Sequence, residues 1–109
     1  MIDYQALSDR DIDRLVLNVV YGVHANDKDI QGVWARGGFK YTTNASEAWS
    51  IITENRISIY FDETIADYEG EFKQWVCATS TCQKFQAQYQ SNPLRAAMIV
   101  FLMMQENKQ

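Results

Sequence analysis

A segment near the end of the chain, residues 94–104, is apolar on almost every side when it is drawn as a helix. Asn92 can cap that helix, and Pro93 suits its first position, where the missing N–H needs no partner. A helix that is apolar on most sides lies either at the centre of a fold or in a subunit interface. We therefore expect the rest of the chain to pack around it, with a homodimer as the alternative way of covering it.

The size and charge of the chain narrow its class. Its 109 residues, 47% of them hydrophobic, suffice for one domain with one core, which we assign to residues 1–109. The net charge of −4 supplies no positive field for phosphates, which excludes long nucleic acid as a partner. No apolar run approaches the roughly 20 residues that cross a membrane, and the N-terminus has no secretory pattern. We expect a cytoplasmic protein that does not insert into a membrane.

Two further helices are indicated by their end signals. Ser8 is followed three residues later by an acidic residue, as in a capping box, and an apolar stripe then runs through residues 12–20. Gly22 is placed to close this helix in a left-handed conformation. Asn44 can cap a second helix, which Asn55 is expected to end.

Strand signals lie between the second helix and the last one. Residues 57–62 alternate with a period of two, and residues 71–79 are rich in strand-forming side chains, which together predict a hairpin. Residues 23–43 have no periodicity and contain three glycines, so we interpret them as a long loop or loose hairpin. Residues 81–91 are polar and fit a loop or a short extra helix. The predicted class is α+β, with three helices packed on a small antiparallel hairpin.

Signals of catalysis and of metal binding are absent from the sequence. The single histidine, His24, has no serine or cysteine partner at a recognisable spacing, and no phosphate-binding glycine motif is present. Cys77 and Cys82 with one histidine do not make a zinc set, so we interpret them as reduced thiols, with a Cys77–Cys82 disulfide as the alternative. The acidic residues in 62–71 are interpreted as a solvated turn. We predict no catalytic residues, no metal, no cofactor and no enzymatic activity.

The sequence resembles a family of phage proteins. Residues 92–102 (NPLRAAMIVFL), 48–52 (AWSII) and 55–58 (NRIS), with the pairs at 3–4 and 7–8, are similar to the NinX family, encoded in the nin region of lambdoid phages. A weaker similarity links the chain to phage ABA-sandwich domains. The resemblance implies an accessory, host-facing role and brings no established catalytic residues.

One set of residues has the chemistry of a ligand site. Trp34, Arg36 and Tyr41 lie in the glycine-bearing segment, and Asn92 and Arg95 lie at the start of the last helix. Aromatic rings stack on bases, guanidinium groups hold phosphates, and a helix N-terminus favours anions. These residues predict a site for a small anionic or nucleotide-like molecule, and the phage context suggests sequestration of a host metabolite or immune signal.

A structural role is the alternative for the same residues. Trp34 and Phe39 would then fold back over the sheet, and Arg95 would pair with Glu47 or another acid. Convergence of Trp34, Arg36 and Arg95 on one pocket would favour ligand binding. Their dispersal would favour the second functional hypothesis, a protein-interaction module that binds a host enzyme or regulator through an acidic or methionine-rich surface.

Overall fold

The computed structural model describes residues 3–66, 71–82, 84–90 and 92–107. Within these ranges the helices are α1 (Asp9–Tyr21), α2 (Lys28–Ala35), α3 (Ala45–Glu54) and α4 (Pro93–Asn107), and the strands are β1 (Ser58–Ala66), β2 (Glu71–Thr79) and β3 (Gln86–Gln90). Short 3-10 turns occupy Tyr4–Ala6 and Gly22–Asn26. The predicted α+β class is confirmed, with one helix and one strand more than expected.

Three of the helices begin where their capping residues predict. Ser8 forms a full capping box, since its Oγ accepts from the Asp11 N–H at 3.1 Å and the Asp11 carboxylate accepts from the Ser8 N–H at 3.3 Å. Asn44 and Asn92 each accept backbone N–H groups from the first turn of α3 and α4. Gly22 follows α1 with a φ of 55°, a backbone conformation that favours glycine. Local chemistry therefore fixes the ends of these helices.

The prediction of a long loop or loose hairpin over residues 23–43 is wrong, because α2 lies within that segment. This helix has only eight residues, none of them buried, and Asp27 at its N-terminus makes no side-chain capping bond. Its apolar stripe is short, consisting of Ile30, Val33 and Trp34, and Asp27 is a capping residue type that makes no capping bond here. A tertiary contact supports it instead, because Arg10 of α1 donates to the carbonyl of Trp34 near its C-terminal end at 3.1 Å.

The sheet has three antiparallel strands in the order β1-β2-β3. The pairing of β3 with β2 corrects the prediction of a loop or short helix over residues 81–91. The sequence of β3, QAQYQ, alternates polar and apolar residues over only five positions, and its pairing with β2 makes it a strand. Ala87 pairs with Ala78, and both are fully buried, so the sheet presents small side chains to the helix packed on it.

The core is built around α4. Seven consecutive residues of this helix are buried, Ala96, Ala97, Met98, Ile99, Val100, Phe101 and Leu102. The helix packs against β2 and β3 of the sheet and against α1 and α3. We expected α4 to be buried either by the rest of the chain or by a second copy. The same chain buries it.

The strand β1 lies at one edge of the sheet. It pairs with β2 over its full nine residues, from Ser58 opposite Thr79 to Ala66 opposite Glu71. The pairs of β3 with β2 lie at Val76, Ala78 and Thr79 only. The outer part of the hairpin is therefore a two-stranded ribbon in the part of the chain that the structure describes.

Candidate functional site

Arg95 is held by the N-terminal part of the chain. Its guanidinium donates to the Asp9 carboxylate at 2.9 Å and to the backbone carbonyls of Tyr4 and Leu7 at 3.0 and 2.7 Å. Its side chain is only 15% exposed. The acid that pairs with Arg95 is Asp9, whereas the Glu47 carboxylate accepts from the Lys40 backbone N–H. Arg95 therefore joins the start of α4 to the first turns of the chain.

Asn92 belongs to a polar network that crosses the interior. Its Nδ2 donates to the Thr42 carbonyl at 2.6 Å, while its Oδ1 caps α4. The Thr42 N–H and hydroxyl both donate to Asp13 Oδ1, at 2.8 and 2.9 Å, and Asp13 is 2% exposed. Arg10 donates to the other Asp13 oxygen at 3.4 Å. The polar atoms of Asn92 are thus used in holding α1, the segment before α3 and α4 together.

Trp34 packs beneath two arginines of α1. The Arg10 guanidinium carbon lies 3.5 Å from the centre of the indole ring, and that of Arg14 lies at 5.2 Å. Arg10 also donates to the carbonyls of Trp34 and Phe39 at 3.1 and 3.3 Å. A cation already covers a face of Trp34. Sequence reasoning overlooked Arg10 and Arg14, although their spacing of four residues on α1 placed them on one helix face.

Tyr41 and Arg36 lie in different environments. Tyr41 is 5% exposed and stacks on Phe39 with ring centres 6.3 Å apart, and burial raises the pKa of Tyr41 above its ordinary value. Arg36 follows α2, is exposed, and forms no ion pair among the described residues. Of the five residues predicted as a ligand site, Tyr41 lines a groove of about 330 Å³, together with Phe39 and Glu47. The other four predicted residues do not line this groove.

A second groove lies between α3 and the start of β1. It encloses about 400 Å³, and Trp49 and Thr53 of α3 and Ile59 of β1 contribute to its walls. Trp49 is 64% exposed and lies at the flank of the stripe that α3 buries. Phe61 lies two residues beyond Ile59, on the same face of β1, and is 77% exposed. Large exposed aromatic residues beside an apolar groove are typical of binding surfaces.

Arg56 stands at one end of this groove in an unusual backbone conformation. Its φ is 53°, and its N–H donates to the Thr53 carbonyl while the Ile57 N–H donates to the Ile52 carbonyl. This is the Schellman ending of a helix, in which glycine is the usual residue at the left-handed position. Arg56 makes no ion pair with any residue that the structure describes. We refer to Trp49, Arg56, Ile59 and Phe61 as the Trp49 surface.

A comparison with known families identifies the chain. The family model described as Bacteriophage P22, NinX matches residues 3–105, which is nearly the whole sequence. The chain belongs to the NinX family. No significant match was found among curated proteins or among solved structures. The resemblance carried by residues 48–52, 55–58 and 92–102 is thus confirmed, and this NinX-family member is a phage protein.

A third groove of this NinX-family protein lies near the end of α4. It encloses about 350 Å³, and Cys82, Phe85 and Met104 contribute to its walls. Cys77 is a buried free thiol and Cys82 an exposed one. A hydrogen bond with Ser80, with the two side-chain atoms 3.4 Å apart, lowers the pKa of Cys82. Neither thiol belongs to a cluster of metal-binding side chains, since the described residues contain no such group of three.

No helix of the NinX-family protein in the described ranges has the length and hydropathy needed to cross a bilayer.

Proposed function

We propose that this NinX-family protein is a non-catalytic interaction module that binds a host enzyme or regulator in the cytoplasm of the infected bacterium. The Trp49 surface is the proposed contact. The observation that carries the proposal is the 64% exposure of Trp49 beside the apolar groove between α3 and β1.

The residue types of this surface are those that dominate protein interfaces. Tryptophan and arginine are enriched among the few residues that supply most of the binding free energy. Covering the exposed part of the Trp49 ring would contribute about 3 kcal/mol at roughly 25 cal/mol per Å² of apolar area. Arg56 adds a guanidinium with no ion pair among the described residues, so it can bind a carboxylate or a carbonyl of a partner.

The dispersal of the predicted ligand residues favours this function over the binding of a small anion. Arg95 and Asn92 already hold backbone carbonyls, and Arg10 lies over the ring of Trp34. Arg36 alone remains exposed at the end of α2. By the criterion set from the sequence, dispersed side chains support a protein-interaction module.

Binding of a small anionic or nucleotide-like ligand stays a prediction, and a thermal-shift screen tests it. A nucleotide or cyclic dinucleotide present at a hundred times its dissociation constant would stabilise the fold by about 2.7 kcal/mol. A rise in melting temperature that is abolished by Arg36→Ala would support this second function.

The interaction proposal is tested by capture from an enterobacterial lysate with three baits. These are the native chain, Trp49→Ser, and the control Val23→Ser, since Val23 is also apolar and is 88% exposed. We expect the native chain and the control to retain one host protein at stoichiometric yield, and Trp49→Ser to lose it. Equal retention by all three baits would contradict the role of the Trp49 surface.

The absence of catalysis has its own test. The proposal that the protein is non-catalytic would be contradicted if the purified protein turned over a member of a nucleotide or peptide library and Asp62→Ala or Glu69→Ala abolished that turnover.

A further inference from the structure

The outer edge of β1 is unprotected in ways that edge strands usually are not. Its nine residues, SIYFDETIA, include no proline and no lysine, and the two charged residues among them, Asp62 and Glu63, disfavour a like-charged strand and favour a basic one. The irregularity in this sheet lies between β2 and β3, so it does not interrupt β1. Among the described strands, only β2 pairs with β1. The edge can therefore accept a further strand.

The groove beside Trp49 lies at the start of that edge. Ser58 and Ile59, the first two residues of β1, line it together with Trp49 of α3. Side chains of a strand alternate between the two faces of a sheet, so every second residue of an added strand would lie on the face of Ile59 and Phe61. An apolar residue there can contact the exposed rings of Trp49 and Phe61.

The charge of the hairpin indicates the chemistry of the partner. β1 contains no basic residue and two acidic ones, Asp62 and Glu63, which lie in the strand and not in the turn that the sequence suggested. Opposite charges on neighbouring strands stabilise their pairing, whereas like charges directly opposite destabilise it. A second copy paired antiparallel about the centre of β1 would place residue 62 against its own copy, and both are aspartates. The charge therefore favours a basic segment of another protein over a second copy.

We propose that β1 binds an extended segment of a partner protein as a fourth strand of the sheet. The partner segment has apolar residues alongside 58–61, next to the groove between α3 and β1, and lysines or arginines alongside 62–66. Main-chain hydrogen bonds supply affinity in this mode of recognition, and side-chain contacts supply specificity. The inference rests on the proposed function and names the class of partner that the Trp49 surface takes.

Synthetic peptides test this inference directly. The probe is a labelled, end-capped ten-residue peptide with alternating valine and threonine in one half and alternating lysine and threonine in the other, made in both chain directions. The first control replaces each lysine with glutamate, and the second carries N-methyl groups on alternate amides of one edge. Binding is measured by fluorescence anisotropy, and protection of the β1 amides by hydrogen exchange.

We expect one direction of the lysine peptide to bind and to protect amides of β1. The glutamate peptide should bind at least about tenfold more weakly, because attraction to Asp62 and Glu63 of β1 becomes repulsion. N-methylation should abolish binding, since it removes the main-chain donors. Trp49→Ser should weaken binding of the lysine peptide, whereas the control Val23→Ser should not.

Three results would overturn the inference. One is no binding of either lysine peptide at about 1 mM, the weak end of the affinity scale. Another is equal binding of the lysine and glutamate peptides. The third is a concentration-dependent dimer in sedimentation with β1 amides protected, which would make a second copy the occupant. If the peptides fail while Trp49→Ser still loses the captured host protein, strand addition is wrong and the proposed function stands. If capture is also independent of Trp49, both are wrong.

Discussion

Two parts of the molecule pair a tryptophan with arginine and use them in opposite ways. At the interface of α1 and α2, the Arg10 guanidinium lies 3.5 Å from the centre of the Trp34 ring and donates to two backbone carbonyls. At the end of α3, Trp49 is 64% exposed and Arg56 has no ion pair among the described residues. The same residue types therefore stabilise the fold in one place and remain available for binding in the other.

The difference arises from what each arginine finds within reach. Carbonyls at the ends of helices and short turns lack intrahelical partners, and the guanidinium fork can bind several of them at once. Arg10 and Arg95 bind the carbonyls of Phe39 and Leu7, and they add a second donor to those of Trp34 and Tyr4, which also accept a backbone N–H. At the turn after α3, backbone N–H groups of the turn donate to carbonyls of α3, and the Thr81 hydroxyl donates to the Arg56 carbonyl.

The largest expected effect tests the core that supports both parts. Met98 is fully buried on α4, so Met98→Asp places an unpaired charge in the interior. The cost is several kcal/mol against a domain stability of about 5–15 kcal/mol, and the variant should not fold. Circular dichroism recorded during heating shows whether the variant is folded. Val23→Asp, at an exposed position, is the control. A soluble Met98→Asp protein that melts cooperatively would show that α4 is not central.

Removing Asp13 should have the next largest effect, because it breaks the network of the first part. The Thr42 N–H and hydroxyl would lose their acceptor in a buried site, which lowers the free energy of unfolding by about 3 kcal/mol. Urea unfolding of Asp13→Ala measures this loss, and Asp29→Ala on the exposed start of α2 is the control. Similar small losses for both variants would mean that the network is not essential.

A pair of arginine variants sharpens the comparison further. Arg95→Ala removes hydrogen bonds to Asp9, Tyr4 and Leu7 and should lower the free energy of unfolding by about 2 kcal/mol. Arg36→Ala, at an exposed position, should change it by less than about 0.5 kcal/mol. Urea unfolding of the two variants under one condition measures both changes. A larger loss of unfolding free energy for Arg36→Ala would mean that Arg36, and not Arg95, stabilises the fold.

The elements that could be predicted from the sequence are those specified by nearby residues. Ser8, Asn44 and Asn92 each cap their own helix, so α1, α3 and α4 begin where expected. The helix α2 and the strand β3 were not predicted, because their local patterns are short, Ile30, Val33 and Trp34 in α2 and QAQYQ in β3, and a distant partner completes each of them. Arg10 supports the end of α2 from α1, and β3 is defined by its pairing with β2.

The site was harder to predict than the fold for a related reason. The residue types of Trp34 and Arg95 suit ligand binding. Only the tertiary structure shows that Arg10 covers the Trp34 ring and that Arg95 binds backbone carbonyls. A signal for Trp49 was nevertheless present. It lies off the stripe of Ala48, Ile51 and Ile52 that α3 buries, so a helical projection alone places its large ring outside the core.

Replacing Arg56 with glycine should have a small effect on stability. Glycine relieves the left-handed backbone at φ 53° while increasing the freedom of the unfolded chain. We expect the free energy of unfolding to stay unchanged or to rise by up to about 1 kcal/mol. Thermal melting measures it, and a loss greater than about 1 kcal/mol would mean that the Arg56 side chain has a structural role.

The smallest expected change, at Trp49, tests the central claim most directly. If the ring is free to bind a partner and is not needed for folding, Trp49→Ser should alter the free energy of unfolding by less than about 0.5 kcal/mol. The measurement is urea unfolding of Trp49→Ser beside the native chain, with the same slope expected for both. A loss of about 2 kcal/mol or more would place Trp49 among the residues that hold the fold together and would contradict the account.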